Sequence, residues 1–148
     1  MRTVICGIGN KMKGDDGVGS TIATELGKEI KHEDIMILDC ASAPENFTGK
    51  VSKFNPDHVV IIDAVKMGRD PGYVNRVEPD NIHGLLFSTH QVPLRMLIKY
   101  IQKELPNTKI SFIGIEPKHT NFGADMSEEV TQAMDELKTS LLGFLKGL

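Results

Sequence analysis

Acidic side chains and a histidine stand where predicted β-strands end, and together they could contact a divalent metal. Asp15 and Asp16 lie in the glycine-rich segment 7–19, which follows the first predicted strand. Asp63 directly follows an apolar run, and His90 lies in the segment after the fourth predicted strand. Carboxylate and imidazole ligands suit a borderline metal such as nickel or zinc, and a set without thiolates argues against copper(I) or an iron–sulfur cluster. The sequence therefore predicts a metal-contacting site built from three loops.

Each of these residues also has a purely structural interpretation. Asp15 or Asp16 could cap the following helix, because an aspartate at a helix start accepts hydrogen bonds from free backbone amides. A cap accounts for one of these two neighbours and leaves the other unexplained. Asp63 is harder to explain in this way, since burial of an unpaired charge is costly. His90 alone is typical of a hydrogen-bonded structural histidine, so its interpretation as a ligand depends on its meeting the two aspartates.

A dinucleotide site is the strongest competing interpretation of the first loop. The segment Gly7–Gly9 follows a strand as in the nucleotide fingerprint, and Asp39 closes the second strand where a ribose-binding acid would lie. However, Met12 occupies the position of the third glycine, and Asp15 and Asp16 would repel a pyrophosphate. The sequence also contains neither a His-Glu-x-x-His motif nor a Gly-x-Ser-x-Gly elbow. The first loop is therefore expected to attract a cation.

Composition narrows the class of protein. A length of 148 residues suits one domain over residues 1–148, and a formal net charge of −3 gives no support for nucleic-acid binding. Cys6 and Cys40 lie in apolar runs and are too few for a disulfide framework, so we expect buried, reduced thiols. The apolar run in Met1–Gly7 is too short for a signal peptide, and no window approaches the roughly 20 apolar residues of a membrane span. We expect a cytoplasmic protein.

Strands and helices alternate along the chain, which predicts where the site-bearing loops meet. The predicted strands are Thr3–Cys6, Ile35–Leu38, His58–Ile62, an edge or antiparallel strand Gly72–Val77, and Lys109–Ile115. Apolar residues at three- and four-residue spacing predict helices with core positions Val18 to Ile30, Leu94 to Leu105 and Val130 to Leu145. The spacing of Ser42 and Glu45 matches a capping box that could open a short helix. This order favours a three-layer αβα sandwich on a mostly parallel sheet, with ligands beyond the carboxyl ends of the strands.

Several motifs occur in one order along essentially the whole chain. They are Gly7-Ile-Gly-Asn10, Gly14-Asp-Asp-Gly-Val-Gly19, Ala43-Pro-Glu-Asn-Phe47, the segment from Asp57 through Ile61-Ile-Asp-Ala64, Ser88-Thr-His-Gln-Val-Pro-Leu94 and Ile113-Gly-Ile-Glu-Pro117. Each motif is weak by itself, but the ordered set resembles the nickel–iron hydrogenase maturation endopeptidases.

This resemblance implies a fold, a site and an activity. The fold is a five-stranded, mostly parallel sheet of order 2-1-3-5-4 with strand 4 antiparallel, which makes strands 1 and 3 neighbours. The family's metal-contacting and catalytic residues carry over to Asp16, Asp63 and His90. The implied activity is removal of the C-terminal extension of a hydrogenase large-subunit precursor after nickel insertion. The nickel is then carried by the substrate, no permanently bound cofactor is expected, and the enzyme is expected to be monomeric.

Two other functions remain open at the level of the sequence. One is a metallopeptidase that holds a resident zinc in the same three residues, and the other is a non-proteolytic nickel-binding chaperone for hydrogenase assembly. Lys11 and Lys13 could contact acidic groups of a substrate, although solvated loop lysines are the ordinary interpretation. Five glycines are expected to give the backbone freedom and a substrate chain close approach: Gly7, Gly9, Gly14, Gly17 and Gly19.

Overall fold

The secondary structure follows the order of elements predicted from the sequence. The structure, a computed structural model, describes residues 1–77, 81 and 92–147. Within these ranges the strands are β1 (Thr3–Ile8), β2 (Ile35–Ala41), β3 (His58–Ala64), β4 (Val74–Val77) and β5 (Lys109–Ile115). The α-helices are α1 (Val18–Glu29), α2 (Thr48–Phe54), α3 (Val92–Glu104) and α4 (Glu128–Lys146), with short 3₁₀ helices at Gly14–Gly17 and Pro44–Phe47. In these ranges no helix has the length and apolar character needed to cross a membrane.

The five strands form one sheet whose order confirms the predicted topology. The order is β2-β1-β3-β5-β4, and β4 pairs antiparallel with β5 whereas the other pairs are parallel. In the register, Gly7 of β1 lies opposite Asp39 of β2 and Ile62 of β3. The chain first winds outward from β1 to β2 and then continues on the other side of β1, so the winding direction changes between β1 and β3. Ligand sites of such sheets lie at this point.

Helices cover both faces of the sheet and separate two apolar cores. On one face, α2 and α3 pack on β1, β3 and β5, with Leu94 and Leu97 of α3 fully buried. On the other face, α1 and α4 pack on the same strands through residues such as Ile22 and Leu137. All six residues of β1 are buried, because this central strand has a helix layer on each side. The three-layer αβα sandwich predicted from the sequence is therefore present.

The short helix after β2 is present, but the predicted capping box is wrong. Ser42 makes no capping hydrogen bond, and the residue that precedes the 3₁₀ helix is Ala43. The chain instead leaves β2 through Ala41, whose φ of 47° lies in the left-handed region. Pro44 then begins the helix, because its fixed φ already suits a first helical turn. Ser42 is left exposed at the edge of the sheet.

Candidate active site

A cleft of about 440 Å³ opens at the carboxyl edge of the sheet, beside the ends of β1 and β3. Its walls come from these strand ends, the first loop, the turn after β2 and the start of α3. The lining residues are Ile8, Gly9, Lys13, Asp16, Ser42, Asp63, Val92 and Pro93. The cleft therefore lies at the change of winding direction, where the sequence predicted a site.

Two of the three predicted site residues line this cleft. Asp16 arrives from the loop after β1 and Asp63 from the end of β3. His90 lies outside the residues that the structure describes, and so do the neighbouring residues 88 and 89. The first described residues after that segment, Val92 and Pro93, line the same cleft.

Asp63 is a buried carboxylate at the end of a central strand. Its relative exposure is 0%, because β1 and β5 flank β3 on both edges. The Ala64 backbone N–H donates to Oδ1 of Asp63 at 2.8 Å. Burial of a negative charge is costly unless it is paired or hydrogen-bonded, and this carboxylate also lines the cleft.

Asp16 is half-buried and is held at the cleft by the folding of its own loop. The Asn10 backbone N–H donates to Oδ2 of Asp16 at 3.1 Å. The loop passes so close to β1 that a Cβ added at Gly9 would lie 2.0 Å from the Asp16 carbonyl oxygen. Gly9 also has a φ of 152°. Only glycine permits this approach, and the approach brings the Asp16 carboxylate to the end of β3.

The described part of the cleft wall carries two negative groups and one positive group. Asp16 and Asp63 supply the carboxylates, and the half-buried Lys13 supplies the ammonium group. Two carboxylates on the walls of one cleft attract a cation and repel a free phosphate. Carboxylate oxygens also suit a borderline or hard divalent metal. Among the described residues no group of three or more His, Cys, Asp or Glu side chains could hold a metal.

Asp15, the sequence neighbour of Asp16, has a structural role that the sequence did not reveal. Its carboxylate is fully buried and faces away from the cleft into the segment between β5 and α4. Backbone N–H groups of Lys118, His119 and Ser127 donate to it at 2.8, 3.0 and 2.7 Å, and the Ser127 hydroxyl donates at 2.9 Å. Burial alone would raise the pKa of the Asp15 carboxyl, but these four hydrogen bonds lower the pKa below its ordinary value.

The helix-cap interpretation is therefore wrong for both aspartates of the first loop. The residue that caps α1 is Gly17, with no side-chain capping bond. Asp15 instead supports a different helix, since Ser127 is the N-cap of α4 and its hydroxyl accepts from the Val130 N–H at 3.3 Å. Asp15 and Ser127 are 112 residues apart in the sequence, so no local pattern could have predicted their contact.

Asp39, the candidate ribose-binding acid, is occupied by contacts within the protein. The hydroxyls of Ser20 and Thr24 donate to its carboxylate at 2.6 and 3.2 Å, and the Ala41 N–H donates at 3.1 Å. The Lys11 ammonium lies 3.6 Å away. Burial would raise the pKa of Asp39, but these hydrogen bonds and the lysine charge lower it. Asp39 thus ties β2 to α1, and the dinucleotide interpretation loses its acidic residue.

The five glycines of the first loop pack mainly against the protein's own backbone. An added Cβ at Gly7 would lie 2.1 Å from the Gly19 carbonyl oxygen, and one at Gly19 in α1 would lie 2.3 Å from the Ile62 carbonyl oxygen and 2.4 Å from that of Ile8. This contact lets α1 begin directly above β1 and β3. Close packing within the protein therefore accounts for these glycines, and close approach of a substrate chain stays a prediction.

Both cysteines are buried and free, as expected. A hydrogen bond with Cys40, together with burial, raises the pKa of the Cys6 thiol well above its ordinary range. A thiol in this state is a poor nucleophile and a poor metal ligand at neutral pH. Neither thiol is among the described residues that line the cleft.

Comparison with known proteins gives matches over most of the chain. The family model described as hydrogenase maturation protease matches residues 20–143, a range that includes Asp63 and begins after Asp16. The hydrogenase 3 maturation protease of Escherichia coli K12 is 31% identical over 145 residues, which cover 97% of this chain and 91% of that protein.

Solved structures are similar over nearly the whole fold. The crystal structure of the [NiFe] hydrogenase maturation protease HycI from Thermococcus kodakarensis has a TM-score of 0.88 and 36% identity, and the match covers 98% of this chain and 92% of that chain. The solution structure of the endopeptidase HycI from Escherichia coli has a TM-score of 0.83 and 30% identity, with coverage of 97% and 91%.

Proposed function

This chain belongs to the hydrogenase maturation protease family, and from that premise we propose that it removes the C-terminal extension of a nickel–iron hydrogenase large-subunit precursor once nickel has been inserted. The observation that supports the metal-sensing part is the cleft in which Asp16 and Asp63 line one space beside β1 and β3. The proposal includes a monomeric enzyme that acts in the cytoplasm.

In this proposal the nickel ion is part of the substrate. Asp16 and Asp63 supply two carboxylate oxygens to the nickel of the precursor, and His90 supplies a neutral imidazole held in one tautomer. The ion brings positive charge to two carboxylates that line one cleft. A precursor without nickel lacks this attraction, so it binds more weakly. The enzyme thereby distinguishes a completed metal centre from an empty one.

The bound ion also positions the peptide bond to be cut. The C-terminal extension lies near the metal centre, so docking of the ion brings the scissile carbonyl into the cleft beside the strand ends. Water adds to that carbonyl carbon and the C–N bond breaks. The products are a new C-terminal carboxylate on the large subunit and a released peptide with a free amine.

The test is the intact mass of a large-subunit precursor incubated with this protein. We expect the nickel-loaded precursor to lose the mass of its C-terminal extension and the nickel-free precursor to stay intact. An unchanged mass in both samples would contradict the peptidase proposal and favour the nickel chaperone, particularly if the proteins still bind each other. Equal cleavage of both samples would contradict metal sensing.

The same samples separate the proposal from a peptidase with its own zinc. That alternative predicts about one metal ion per purified enzyme, and it predicts that a chelator applied to the enzyme before mixing abolishes cleavage. Our proposal predicts that an enzyme treated with the chelator and then freed of it cleaves the nickel-loaded precursor at the untreated rate.

A further inference from the structure

Exposed apolar side chains cluster around the mouth of the cleft. In the part of the chain that the structure describes, seven large apolar side chains are exposed; three of them belong to segments that line the cleft, and a fourth belongs to a loop that contacts one of these segments. These four are Met12 at 70%, Phe122 at 69%, Val92 at 58% and Met96 at 54% relative exposure. We call these four side chains together with Lys13 the cleft rim. Exposed apolar side chains that gather beside a cleft often mark a site of association with another protein.

One side of the rim is formed by two loops that are joined to each other. The Gly123 backbone N–H donates to the Met12 carbonyl at 2.9 Å. The Lys13 ammonium lies 5.5 Å from the centre of the Phe122 ring, a cation–π distance. Met12, Lys13 and Phe122 are therefore neighbours on the surface.

The other side of the rim is the beginning of α3. Val92 lines the cleft, and Met96 lies four residues further along the same helix. Residues at this spacing share one helix face, so their side chains continue the apolar surface outward from the cleft.

The loop that carries Phe122 is held in place by the buried carboxylate of Asp15. That carboxylate accepts from the backbone of Lys118 and His119, and the Asp15 N–H donates to the His119 carbonyl at 2.7 Å. A surface that is already ordered loses little conformational entropy when a partner binds. This anchoring orders the loop that carries the exposed Phe122 before any partner binds.

Lys13 differs from its neighbour Lys11 in a way that matters for binding. The Lys11 ammonium is engaged with Thr24 at 2.9 Å and with Asp39 at 3.6 Å. Lys13 forms no salt bridge with any residue that the structure describes. Its charge is therefore available to a carboxylate on a partner, next to the apolar side chains and at the edge of the cleft.

We propose that the cleft rim docks the folded body of the precursor, through an apolar protein surface that carries a carboxylate close to the segment to be cut. This inference rests on the proposed function and adds a second recognition element to it. The cleft receives the metal centre and the scissile segment, while the rim binds the surrounding protein surface and Lys13 pairs with its carboxylate. The enzyme then selects its substrate by fold as well as by metal.

The test is equilibrium binding of the full-length nickel-loaded precursor to rim variants, followed by cleavage in the same samples. The variants are Lys13→Glu and the double substitution Met12→Ser with Phe122→Ser. The controls are Lys28→Glu, an exposed lysine in the last turn of α1, and Phe144→Ser, an exposed phenylalanine of α4. Thermal melting confirms that each variant is folded.

We expect each rim variant to weaken binding by about 10- to 100-fold, the loss usual for central interface residues. Each control should stay within about twofold of the unmodified protein. A Lys13→Met variant should also show a weaker dependence of the dissociation constant on salt concentration, because a screened ion pair has been removed. Rim variants that bind the precursor as the unmodified protein does would overturn the inference.

Two further outcomes distinguish a failure of the docking surface from a failure of the proposed function. If the unmodified protein binds the precursor but does not cut it, the proposed function fails, while the comparison of rim variants still decides the docking surface. If light scattering shows a dimer that the rim substitutions convert to a monomer, the rim is an interface between two copies of this chain and the inference is overturned.

Discussion

Asp15 and Asp16 are adjacent in the chain but have different surroundings and different roles. Asp15 is fully buried and accepts four hydrogen bonds from the segment before α4. Asp16 is half-buried and lines the cleft, with one hydrogen bond from the Asn10 backbone. The first carboxylate stabilises the fold and the second is available for a ligand. Substitutions at the two positions should therefore affect different properties.

Replacing either cleft carboxylate should remove activity and leave the fold intact. We expect Asp16→Asn and Asp63→Asn to lower the rate of precursor cleavage by roughly 100-fold or more, because a lost charged contact worth about 3 kcal/mol has that effect on a rate. Cleavage is followed by intact mass, and Asp135→Asn on the exposed face of α4 is the control. Normal processing by one of the two variants would remove that residue from the site.

Replacing Asp15 should have the opposite pattern. We expect Asp15→Asn to lower the free energy of unfolding by about 2–3 kcal/mol, because an amide places N–H donors against backbone N–H groups and gives up a charged acceptor. Urea denaturation measures this loss, and Asp135→Asn should stay within about 0.5 kcal/mol of the unmodified protein. An equally small change for Asp15→Asn would contradict the structural role.

At the scale of elements, the cleft depends on how closely α1 approaches the sheet. Gly19 lies in the first turns of α1, against the carbonyl oxygens of Ile8 and Ile62. This contact brings the start of α1, and with it Asp16 in the preceding 3₁₀ helix, to the ends of β1 and β3. A second glycine of the same helix, Gly27, has no atom within 4 Å of an added Cβ. Gly19 and Gly27 therefore form a matched pair of helix glycines, one packed against the sheet and one with open space around it.

We expect alanine at these two positions to change stability in opposite directions. Gly19→Ala should lower the free energy of unfolding by about 3 kcal/mol, since the backbone of β1 and β3 must move to admit a methyl group. Gly27→Ala should raise it by about 0.5–1 kcal/mol, because alanine favours a helix interior. Thermal and urea unfolding of both variants provide the measurement, and a harmless Gly19→Ala would show that α1 can shift without cost.

At the scale of the whole molecule, hydrogen-bonded carboxylates join distant parts of the fold. Asp15 links the first loop to the start of α4, and Asp39 links β2 to α1. The α1 and α4 helices are also joined on their outer surface by Lys138, whose ammonium lies 3.1 Å from Glu25. That surface pair contributes little by itself. The two hydrogen-bonded aspartates should therefore dominate the response of the fold to acid.

The stability contributed by Asp15 and Asp39 should be lost on acidification. Both pKa values are lower in the folded protein than in the unfolded chain, where an aspartate titrates near pH 3.9. Their contribution is therefore fully present above about pH 4–5 and disappears as the pH falls through the folded values. We expect the melting temperature to fall below about pH 4, with a smaller fall in Asp15→Asn. Identical pH profiles for the two proteins would contradict this assignment.

Much of the fold could be predicted from the order and periodicity of the sequence. The continuous apolar runs of β1 and β3 indicated strands buried on both faces, and helical spacing identified α1, α3 and α4. These patterns can be recognised locally, because the periodicity of a strand or helix and the burial of one of its faces are encoded within the sequence of that element. The resemblance added the strand order, and the rule for such sheets placed a site beside Asp16 and Asp63.

Side-chain contacts between residues that are distant in the sequence could not be predicted in the same way. The family resemblance selected Asp16, but residue type and spacing by themselves did not distinguish Asp15 from Asp16, or Lys11 from Lys13, and they did not reveal the structural role of Asp39. Each distinction depends on contacts across the fold, such as the hydrogen bond from the Ser127 N–H to Asp15 across 112 positions. Asp15 and Asp16 are the same residue type, as are Lys11 and Lys13, so chemical type and local spacing do not separate the two members of either pair. Only the packing of α4 and the first loop against one sheet edge determines which carboxylate is buried and which one faces the cleft.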